Sequence, residues 1–289
     1  MRKPLFTGVC TALVTPFLDG NVNFPMAEQL LRRQIEAGIP AVVIAGTTGE
    51  SATLSDEEKI QLFRRAKAYV GDTCTIIAGT GSNSTEHAIA LSVAAEAAGA
   101  DAILVVSPYY NKATPDGLYA HFFAIATAVS LPVILYNVPT RTGVDIPVSV
   151  YQQLSKIPNI AGVKEASSDI TKISRIKLAC GQDFAVWAGN DDQIVPAMAS
   201  GGSGVISVLS NVCPEETQAI CLAAECGDYR TAAALQQQLL PLIDLLFCEV
   251  NPIPVKAAMQ CIGYDCGDCR LPLCRLTKEH RLQLAQYFA

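Results

Sequence analysis

The sequence is poor in charge and in histidine. Of its 289 residues, 17% are charged, three are histidines and one is a tryptophan. Little charge beside a hydrophobic content of 50% excludes a disordered chain, because such a composition buries a large core. The formal net charge of −6 argues against nucleic acid as the main partner. The length fits two small domains, or one eight-stranded α/β barrel with an appendage.

Long uninterrupted hydrophobic runs are also missing. The N-terminal apolar stretch is short and broken by Gly8 and Pro16, and no small-residue cleavage site follows it, so no secretory signal is expected. The most apolar window, residues 88–106, contains Glu96 and Asp101 and is typical of helix, turn and strand, not of a membrane span. The sequence therefore predicts a cytoplasmic protein with no membrane partner.

The histidines and cysteines form no clear ligand pattern. The chain has only three histidines and no His-x-His or His-Glu-x-x-His, and a metal-dependent aldolase would need more such ligands. Cys261, Cys266, Cys269 and Cys274 include one Cys-x-x-Cys, so a non-catalytic barrel whose tail binds zinc or a partner stays open as an alternative. Two of these spacings are loose for a zinc site. We expect no metal, and reduced thiols among the eleven cysteines.

Short apolar runs alternate with helix-period segments along most of the chain. Eight runs are largely apolar on consecutive residues, as parallel strands buried on both faces are. They are Gly8–Val14, Ala41–Ala45, Thr75–Ala78, Ala102–Val105, Pro132–Asn137, Ile160–Glu165, Ala185–Gly189 and Gly204–Ser207. This alternation predicts the α/β class, as a (β/α)8 TIM barrel. A doubly wound open sheet is disfavoured, because no Gly-x-Gly-x-x-Gly follows the first run.

Helices alone are expected after the eighth strand. Three or four are indicated, at roughly Pro214–Cys226, Tyr229–Phe247, Pro252–Cys261 and Thr277–Tyr287. No linker rich in Pro, Gly or Ser separates them from the strands. We therefore divide the chain into a catalytic barrel, residues 1–225, and a C-terminal helical domain, residues 226–289.

Lys164 is the sharpest candidate for chemistry. It lies near the carboxyl end of the sixth strand, where barrels of this type carry their active sites. A lysine in an apolar run is unusual. If its amine faces the interior, burial leaves part of it neutral and able to form an imine with a ketone. A salt bridge to Glu165 or Asp169 is the alternative that the pattern leaves open.

Other strand ends carry groups that fit a single substrate site. Thr47 and Thr48 stand between glycines after the second strand, in a turn whose amides suit a carboxylate. Tyr136 ends the fifth strand, where its phenol suits proton transfer. Arg141 follows it and suits a second carboxylate. Each has an ordinary structural explanation alone, but together they describe an amine nucleophile, a proton carrier and two carboxylate sites.

These residues belong to a set of motifs that resembles one family in order and position. The motifs are G-T-T-G-E-S at 46–51, Y-Y-N at 109–111, Y-N-V-P-T-R-T-G at 136–143, G-V-K-E-A at 162–166 and N-P-I-P-V-K at 251–256. From about Gly8 to the C terminus the chain resembles the 4-hydroxy-tetrahydrodipicolinate synthase family, also called dihydrodipicolinate synthases. That family belongs to the N-acetylneuraminate lyase superfamily of pyruvate-dependent class I aldolases.

The resemblance implies a reaction and a role for each residue. Pyruvate would form an imine on Lys164 and condense with L-aspartate 4-semialdehyde, without a cofactor. Tyr136, Thr47 and Tyr110 would relay protons, Tyr110 from a neighbouring subunit. The other substrate contacts would be Thr48 at the pyruvate carboxylate, Arg141 at the semialdehyde carboxylate and the backbone carbonyl of Ile206.

A second enzyme of the superfamily, acting on a sugar acid, remains the alternative. N-acetylneuraminate lyases usually have Gly-Ser-Thr-Gly-Glu at the first motif and lack Thr-Arg-Thr-Gly. Residues 46–50 and 140–143 both favour the synthase here. The family is most often a homotetramer, and the sequence alone does not choose between dimer and tetramer.

Many members of the family are inhibited by lysine in a pocket at a dimer interface. Sensitive members tend to have an acidic residue where this chain has His87, and a histidine where it has Lys59. Loss of the carboxylate removes the partner of the lysine ammonium, and Lys59 adds repulsion, so the resemblance implies weak or absent inhibition. The matching positions are Ser51, Ala52, Asp56, Lys59, Asn83, His87 and Tyr109.

Overall fold

A closed barrel of parallel strands forms the centre of the protein, which we describe over residues 3–289 of a computed structural model. The strands are β1 (Gly8–Ala12), β2 (Phe17–Leu18), β3 (Asn21–Val22), β4 (Ala41–Ile44), β5 (Thr75–Gly79), β6 (Ala102–Val106), β7 (Val133–Asn137), β8 (Ile160–Glu165), β9 (Ala185–Ala188) and β10 (Gly204–Ser207). β2 and β3 pair with each other, and the other eight close the barrel in chain order. The predicted (β/α)8 barrel is confirmed, with strand ends within two residues of those expected.

Helices surround the barrel and follow its last strand. They are α1 (Phe24–Glu36), α2 (Asp56–Val70), α3 (Thr85–Ala97), α4 (Pro115–Ala128), α5 (Pro139–Thr142), α6 (Val148–Leu154), α7 (Thr171–Cys180), α8 (Ile194–Ala199), α9 (Pro214–Glu225), α10 (Tyr229–Leu246), α11 (Ile253–Cys261) and α12 (Lys278–Tyr287). The last four lie within one residue of their predicted ranges. α9 packs on β1, and the proposed domain boundary at residue 225 falls between α9 and α10.

The amino-terminal end of the barrel interior is filled by Phe6 and Trp187. Their rings stack with centroids 4.7 Å apart, and the indole Nε1 donates to the Phe6 carbonyl at 3.2 Å. Both side chains are buried. The interior is therefore packed at this end, and any substrate space lies toward the carboxyl ends of the strands.

A capping box begins α2. Ser55 Oγ accepts from the Glu58 N–H at 3.2 Å, and Glu58 Oε2 accepts from the Ser55 N–H at 2.9 Å. An N-cap of this kind stabilises a helix by about 1 kcal/mol. It fixes the first turn of α2, which carries Asp56 and Lys59. None of the helices in residues 3–289 has the length and apolarity to cross a membrane.

Candidate active site

Lys164 lies on the inner side of β8, with 5% of its surface exposed. Strand pairing places its Cα opposite that of Tyr136 on β7, and its Nζ is 4.6 Å from the centre of the Tyr136 ring. Tyr136 is itself buried within the barrel interior. The structure therefore brings together the predicted amine nucleophile and the predicted proton carrier at the carboxyl end of adjacent strands.

The salt bridges that the sequence left open for Lys164 do not form. Alternation along β8 turns Glu165 to the opposite side of the sheet, where its carboxylate is 3.5 Å from Lys172 Nζ. Asp169 pairs instead with Arg175, at 3.5 Å. The interpretation of Lys164 as a partner of either acid is therefore wrong.

The turn after β4 presents Thr47 and Thr48 beside this end of the barrel. Ala45 and Glu50, which flank them, have positive φ angles of 53° and 57°. Non-glycine residues rarely adopt this conformation, and it is concentrated at functional sites. The Glu50 N–H donates to the Thr47 carbonyl at 3.1 Å and closes the turn. Within residues 3–289, the N–H groups of Thr47 and Thr48 have no hydrogen-bond acceptor. Both amides are thus available to an anion.

A segment of the C-terminal helical region holds this turn from outside the barrel. Asn251 Nδ2 donates to Thr48 Oγ1 at 3.0 Å, and Lys256 Nζ pairs with Glu50 Oε1 at 2.9 Å. The sequence places Asn251 and Lys256 in a motif but predicts no contact for either residue. Their partners lie more than 200 positions away in the chain, so no local pattern could have indicated these contacts.

Arg141 lies on α5 at the edge of the same turn. Its side chain is exposed, and Nη2 donates to the backbone carbonyl of Asn251 at 3.2 Å. Asn251 therefore contacts both Thr48 and Arg141, the two predicted carboxylate sites. The remaining guanidinium donors suit bidentate binding of a carboxylate.

Tyr110 is the predicted residue that the single chain does not bring to the site. Its side chain is 90% exposed and its φ is 75°. The backbone N–H is fixed to the Thr142 carbonyl at 3.4 Å, so the loop is held while the ring is left outside. This exposure leaves the ring free to contact a second chain.

Ile206 on β10 belongs to the packed interior. It is fully buried, its Cα pairs with that of Cys10 on β1, and it shares one apolar cluster with Tyr136 and Trp187. The predicted contact through its backbone carbonyl concerns a substrate, so it stays a prediction.

Asp191 is a buried acid for which no sequence pattern predicts a role. It is 1% exposed, and its Oδ2 accepts the N–H groups of Val208 and Leu209, each at 3.0 Å. Burial raises the pKa of Asp191, against the opposing effects of the Ser207 hydroxyl, the two amides and the positive charge of Lys164. Asp191 thus belongs to the electrostatic surroundings of Lys164. An acid among polar neighbours after a strand carries no distinctive sequence signal.

A cavity of about 510 Å³ extends from this turn to α2. Thr47, Arg141 and Asn251 line it at the turn, and we call this the inner part of the cavity. Asn83 does not line it; its carbonyl accepts from Asn111 Nδ2 at 3.1 Å. The other predicted regulatory positions also line the cavity, and we call them its outer part: Ser51, Ala52, Asp56, Lys59, His87 and Tyr109.

Asp56 already has partners in the outer part of the cavity. Lys59 Nζ is 3.5 Å from its Oδ1, and His87 Nε2 is 2.8 Å from its Oδ2. His87 Nδ1 also lies 3.1 Å from Ser82 Oγ. Partial burial raises the pKa of Asp56, but the His87 hydrogen bond and the Lys59 charge outweigh it, and the net shift is downward. This carboxylate is therefore engaged by the protein's own groups.

The C-terminal cysteines do not gather around a common point. In residues 3–289, no three His, Cys, Asp or Glu side chains are arranged to hold a metal ion. Cys261 and Cys274 are exposed, whereas Cys266 is buried. Burial raises the pKa of Cys266 and of Cys269 to about 12, so both are protonated thiols at neutral pH.

A (β/α)8 barrel with a buried lysine beside a tyrosine at the carboxyl ends of its strands is the arrangement expected of an enzyme of the lyase and aldolase type, and the family match supports that class. Residues 5–288 match the dihydrodipicolinate synthetase family, and the chain belongs to that family.

Individual relatives agree with this assignment over nearly the whole chain. The 4-hydroxy-tetrahydrodipicolinate synthase of Acetivibrio thermocellus is 46% identical over 280 residues, which cover 97% of this chain and 95% of the relative. A dihydrodipicolinate synthase from Cyanidioschyzon merolae, solved with lysine bound, is 42% identical with a TM-score of 0.96, covering 98% and 97% of the two chains. A chloride-inhibited synthase from Acinetobacter baumannii, complexed with pyruvate, is 43% identical with a TM-score of 0.94, covering 97% of each.

Proposed function

We propose that the protein is a 4-hydroxy-tetrahydrodipicolinate synthase, which condenses pyruvate with L-aspartate 4-semialdehyde in the biosynthesis of diaminopimelate and lysine. The observation that carries the proposal is the buried amine of Lys164 beside the Tyr136 ring, in a chain of this family. Two carboxylate-binding groups at the same end of the barrel, the Thr47–Thr48 turn and Arg141, match the two carboxylates that the substrates bring.

The first half of the reaction consumes pyruvate. The uncharged amine of Lys164 attacks the pyruvate keto carbon, and loss of water gives an imine. Removal of a methyl proton converts the imine to an enamine, with Tyr136 as the nearest proton carrier and Thr47 and Tyr110 as its relay. The amides of Thr47 and Thr48 hold the pyruvate carboxylate in place.

The second half joins the two substrates. The enamine carbon attacks the aldehyde carbon of the semialdehyde, whose carboxylate is held by Arg141. The backbone carbonyl of Ile206 borders the reacting atoms. The substrate's own amino group then displaces Lys164 as the ring closes, which frees the lysine amine for another turnover. No cofactor and no metal enter these steps.

Trapping the imine tests the proposal directly. Borohydride reduction in the presence of pyruvate, followed by peptide mass mapping, should give one adduct, on Lys164. Lys172 and Lys256 are also buried near the carboxyl ends of the barrel strands, and each forms an ion pair. They serve as internal controls, because both should stay unmodified. An adduct on another lysine, or none, contradicts the mechanism.

Substrate choice separates the synthase from a sugar-acid aldolase of the same superfamily. With pyruvate saturating, kcat/KM is compared for L-aspartate 4-semialdehyde and for an aldose aldehyde. Arg141 favours the semialdehyde, because its guanidinium binds a carboxylate better than it binds the hydroxyl groups of an aldose. A preference for the aldose would replace the proposal by the alternative.

We also infer a homotetramer built from dimers, in which Tyr110 of one subunit completes the relay of the next. The exposed ring of Tyr110 supports this. Mixed oligomers of two inactive variants, Lys164→Arg and Tyr110→Phe, should regain activity on subunit exchange, because some sites then contain both intact residues. No recovery, with exchange shown by mass, would place Tyr110 in its own subunit's site or outside the relay.

We also infer that the protein works in a reducing compartment, the cytoplasm. The eleven unpaired cysteines support this.

A further inference from the structure

The outer sides of β7 and β8 carry a buried polar cluster directly behind Lys164 and Tyr136. The next residue on each strand, Asn137 on β7 and Glu165 on β8, are Cα partners, as Tyr136 and Lys164 are. Asn137 is 0% and Glu165 is 3% exposed. Asn137 Nδ2 donates to Glu165 Oε1 at 2.8 Å, so the two strands are joined by their side chains one residue beyond the predicted catalytic pair.

Three helix and loop groups complete this cluster. Tyr151 on α6 donates through its hydroxyl to Glu165 Oε2 at 3.2 Å, and Lys172 Nζ on α7 lies 3.5 Å from the same oxygen. Asp145 accepts from Asn137 Nδ2 at 2.7 Å and forms an ion pair with Lys172. We call this group the clasp; its members are Asn137, Asp145, Tyr151, Glu165 and Lys172.

The ladder between β7 and β8 is irregular where it begins. Its register shifts between Val133 and Ile134, and four consecutive pairs then follow, from Ile134 with Gly162 to Asn137 with Glu165. A slip of one residue along a strand would turn every side chain to the opposite side of the sheet. The clasp lies past the irregularity, at the last pair of the ladder, where side-chain contacts can fix the register.

We propose that the clasp holds Lys164 and Tyr136 at their working separation, and that Glu165 and Lys172 are positioning residues. The inference rests on the proposed function and adds residues that touch no substrate. Its physical reason is geometric: proton transfer between the tyrosine and the imine needs the two groups in place, and a displacement of about 1 Å costs on the order of 10²-fold in rate. The fully hydrogen-bonded Glu165 carboxylate gives the clasp one arrangement rather than several.

Two lysines of the same helix provide a matched test. Lys172 and Lys177 are both buried on α7, but Lys177 Nζ donates to the carbonyls of Gln182 and Phe184, just before β9 begins, at the far end of the barrel. Lys172→Met and Lys177→Met each remove one buried ammonium from one helix. Both should lower the melting temperature, whereas only Lys172→Met should alter the chemistry.

The quantity measured is the rate at which the pyruvate methyl protons exchange for deuterium. It is monitored by NMR in a mixture that contains no aldehyde. This exchange reports imine–enamine interconversion at Lys164 alone. We expect Lys172→Met to slow it by about 10²-fold with a smaller change in the KM for pyruvate, and Lys177→Met to leave it within about twofold. Lys172→Arg, which can still bind both carboxylates, should recover most of the rate.

Glu165→Gln tests the same proposal independently, in case the variant Lys172→Met does not fold. It keeps an oxygen for Asn137 and the Ser167 N–H but loses the charge opposite Lys172, so exchange should slow by a smaller factor. If Lys172→Met and Glu165→Gln both fold and exchange at the rate of Lys177→Met, the clasp has no positioning role. If the unmodified protein shows no exchange and no borohydride adduct, it is the proposed function that fails.

Discussion

Lys256 on α11 and Glu50 in the turn after β4 form a buried ion pair, with Nζ and Oε1 2.9 Å apart. Their side chains are 3% and 1% exposed. The other Glu50 oxygen accepts the backbone N–H of Arg270 at 2.8 Å. Since Glu50 stands two residues after Thr48, the C-terminal helices hold the turn proposed to bind pyruvate, and they are more than an appendage.

Breaking this pair from one side should destabilise the protein strongly. Lys256→Met leaves Glu50 as a buried, uncompensated carboxylate, and we expect a loss of about 3–5 kcal/mol in the free energy of unfolding. The double variant Glu50→Gln/Lys256→Met should regain part of it, because no lone charge remains. Urea unfolding of both variants checks this.

An exposed ion pair of the same region provides the control for that comparison. Arg275 pairs with Asp268 at 2.6 Å on the surface, and Arg275→Met should leave the unfolding midpoint unchanged. A double variant that is no more stable than Lys256→Met alone would show that the pair's charge is not what matters there.

The fold was predictable because its signals are local. Runs of consecutive apolar residues predict the eight barrel strands. The hairpin of β2 and β3 was not foreseen, because strands of two residues show no periodicity.

The candidate site was predictable only in part. Lys164 and Tyr136 could be placed at strand ends, and the barrel then brings neighbouring strand ends together. The contacts that hold them are different in kind: Asn251, Lys256 and Glu165 act through partners set by tertiary packing. No propensity or spacing in the chain encodes which distant groups a buried polar side chain meets.

Arg141 should discriminate between the two substrates. Arg141→Ala removes the guanidinium proposed for the semialdehyde carboxylate, so we expect kcat/KM for the semialdehyde to fall by about 10²-fold, close to 3 kcal/mol. The rate of borohydride-trapped imine formation with pyruvate should change little. Arg175→Ala, on the outer helix α7, serves as the control for loss of a surface arginine. Equal losses in both assays would contradict the assigned role.

His121 should make stability depend on pH between about 4 and 6.5. Burial lowers the pKa of His121 from 6.5 to about 4. Its Nε2 is buried and has no hydrogen-bond partner among residues 3–289, while Nδ1 lies 2.8 Å from Thr85 Oγ1. In the unfolded chain this histidine takes up a proton below about pH 6.5, whereas in the folded chain it stays neutral until about pH 4. The unfolded state therefore binds more protons in this window, and stability falls as the pH falls.

The variant His121→Gln isolates this contribution. Glutamine can keep the contact with Thr85 and cannot take up a proton. Between pH 7 and pH 5, the free energy of unfolding of the unmodified protein should fall by about 2 kcal/mol more than that of the variant. Urea unfolding at the two pH values measures the difference. Parallel losses would mean that His121 is accessible to protons in the folded state.

Inhibition by lysine should be weak or absent. The outer part of the 510 Å³ cavity offers Asp56 as an acid, but Lys59 and His87 already bind its two oxygens. A lysine ammonium would have to displace one of these partners and would also meet the positive charge of Lys59. Initial rates at saturating pyruvate should therefore stay above half of their uninhibited value in millimolar lysine, and half-inhibition at micromolar lysine would contradict the expectation.

Two substitutions in the same cavity should create sensitivity to lysine. His87→Glu adds a carboxylate where His87 now lies 2.8 Å from Asp56, and Lys59→His removes the permanent positive charge. Together they supply the ammonium with an uncompensated acid, so half-inhibition should move down by at least about tenfold, which corresponds to about 1.4 kcal/mol of new binding free energy. Calorimetric titration with lysine distinguishes binding from inhibition. Tight binding to the unmodified protein without loss of activity would show that the cavity accepts lysine but is not coupled to Lys164.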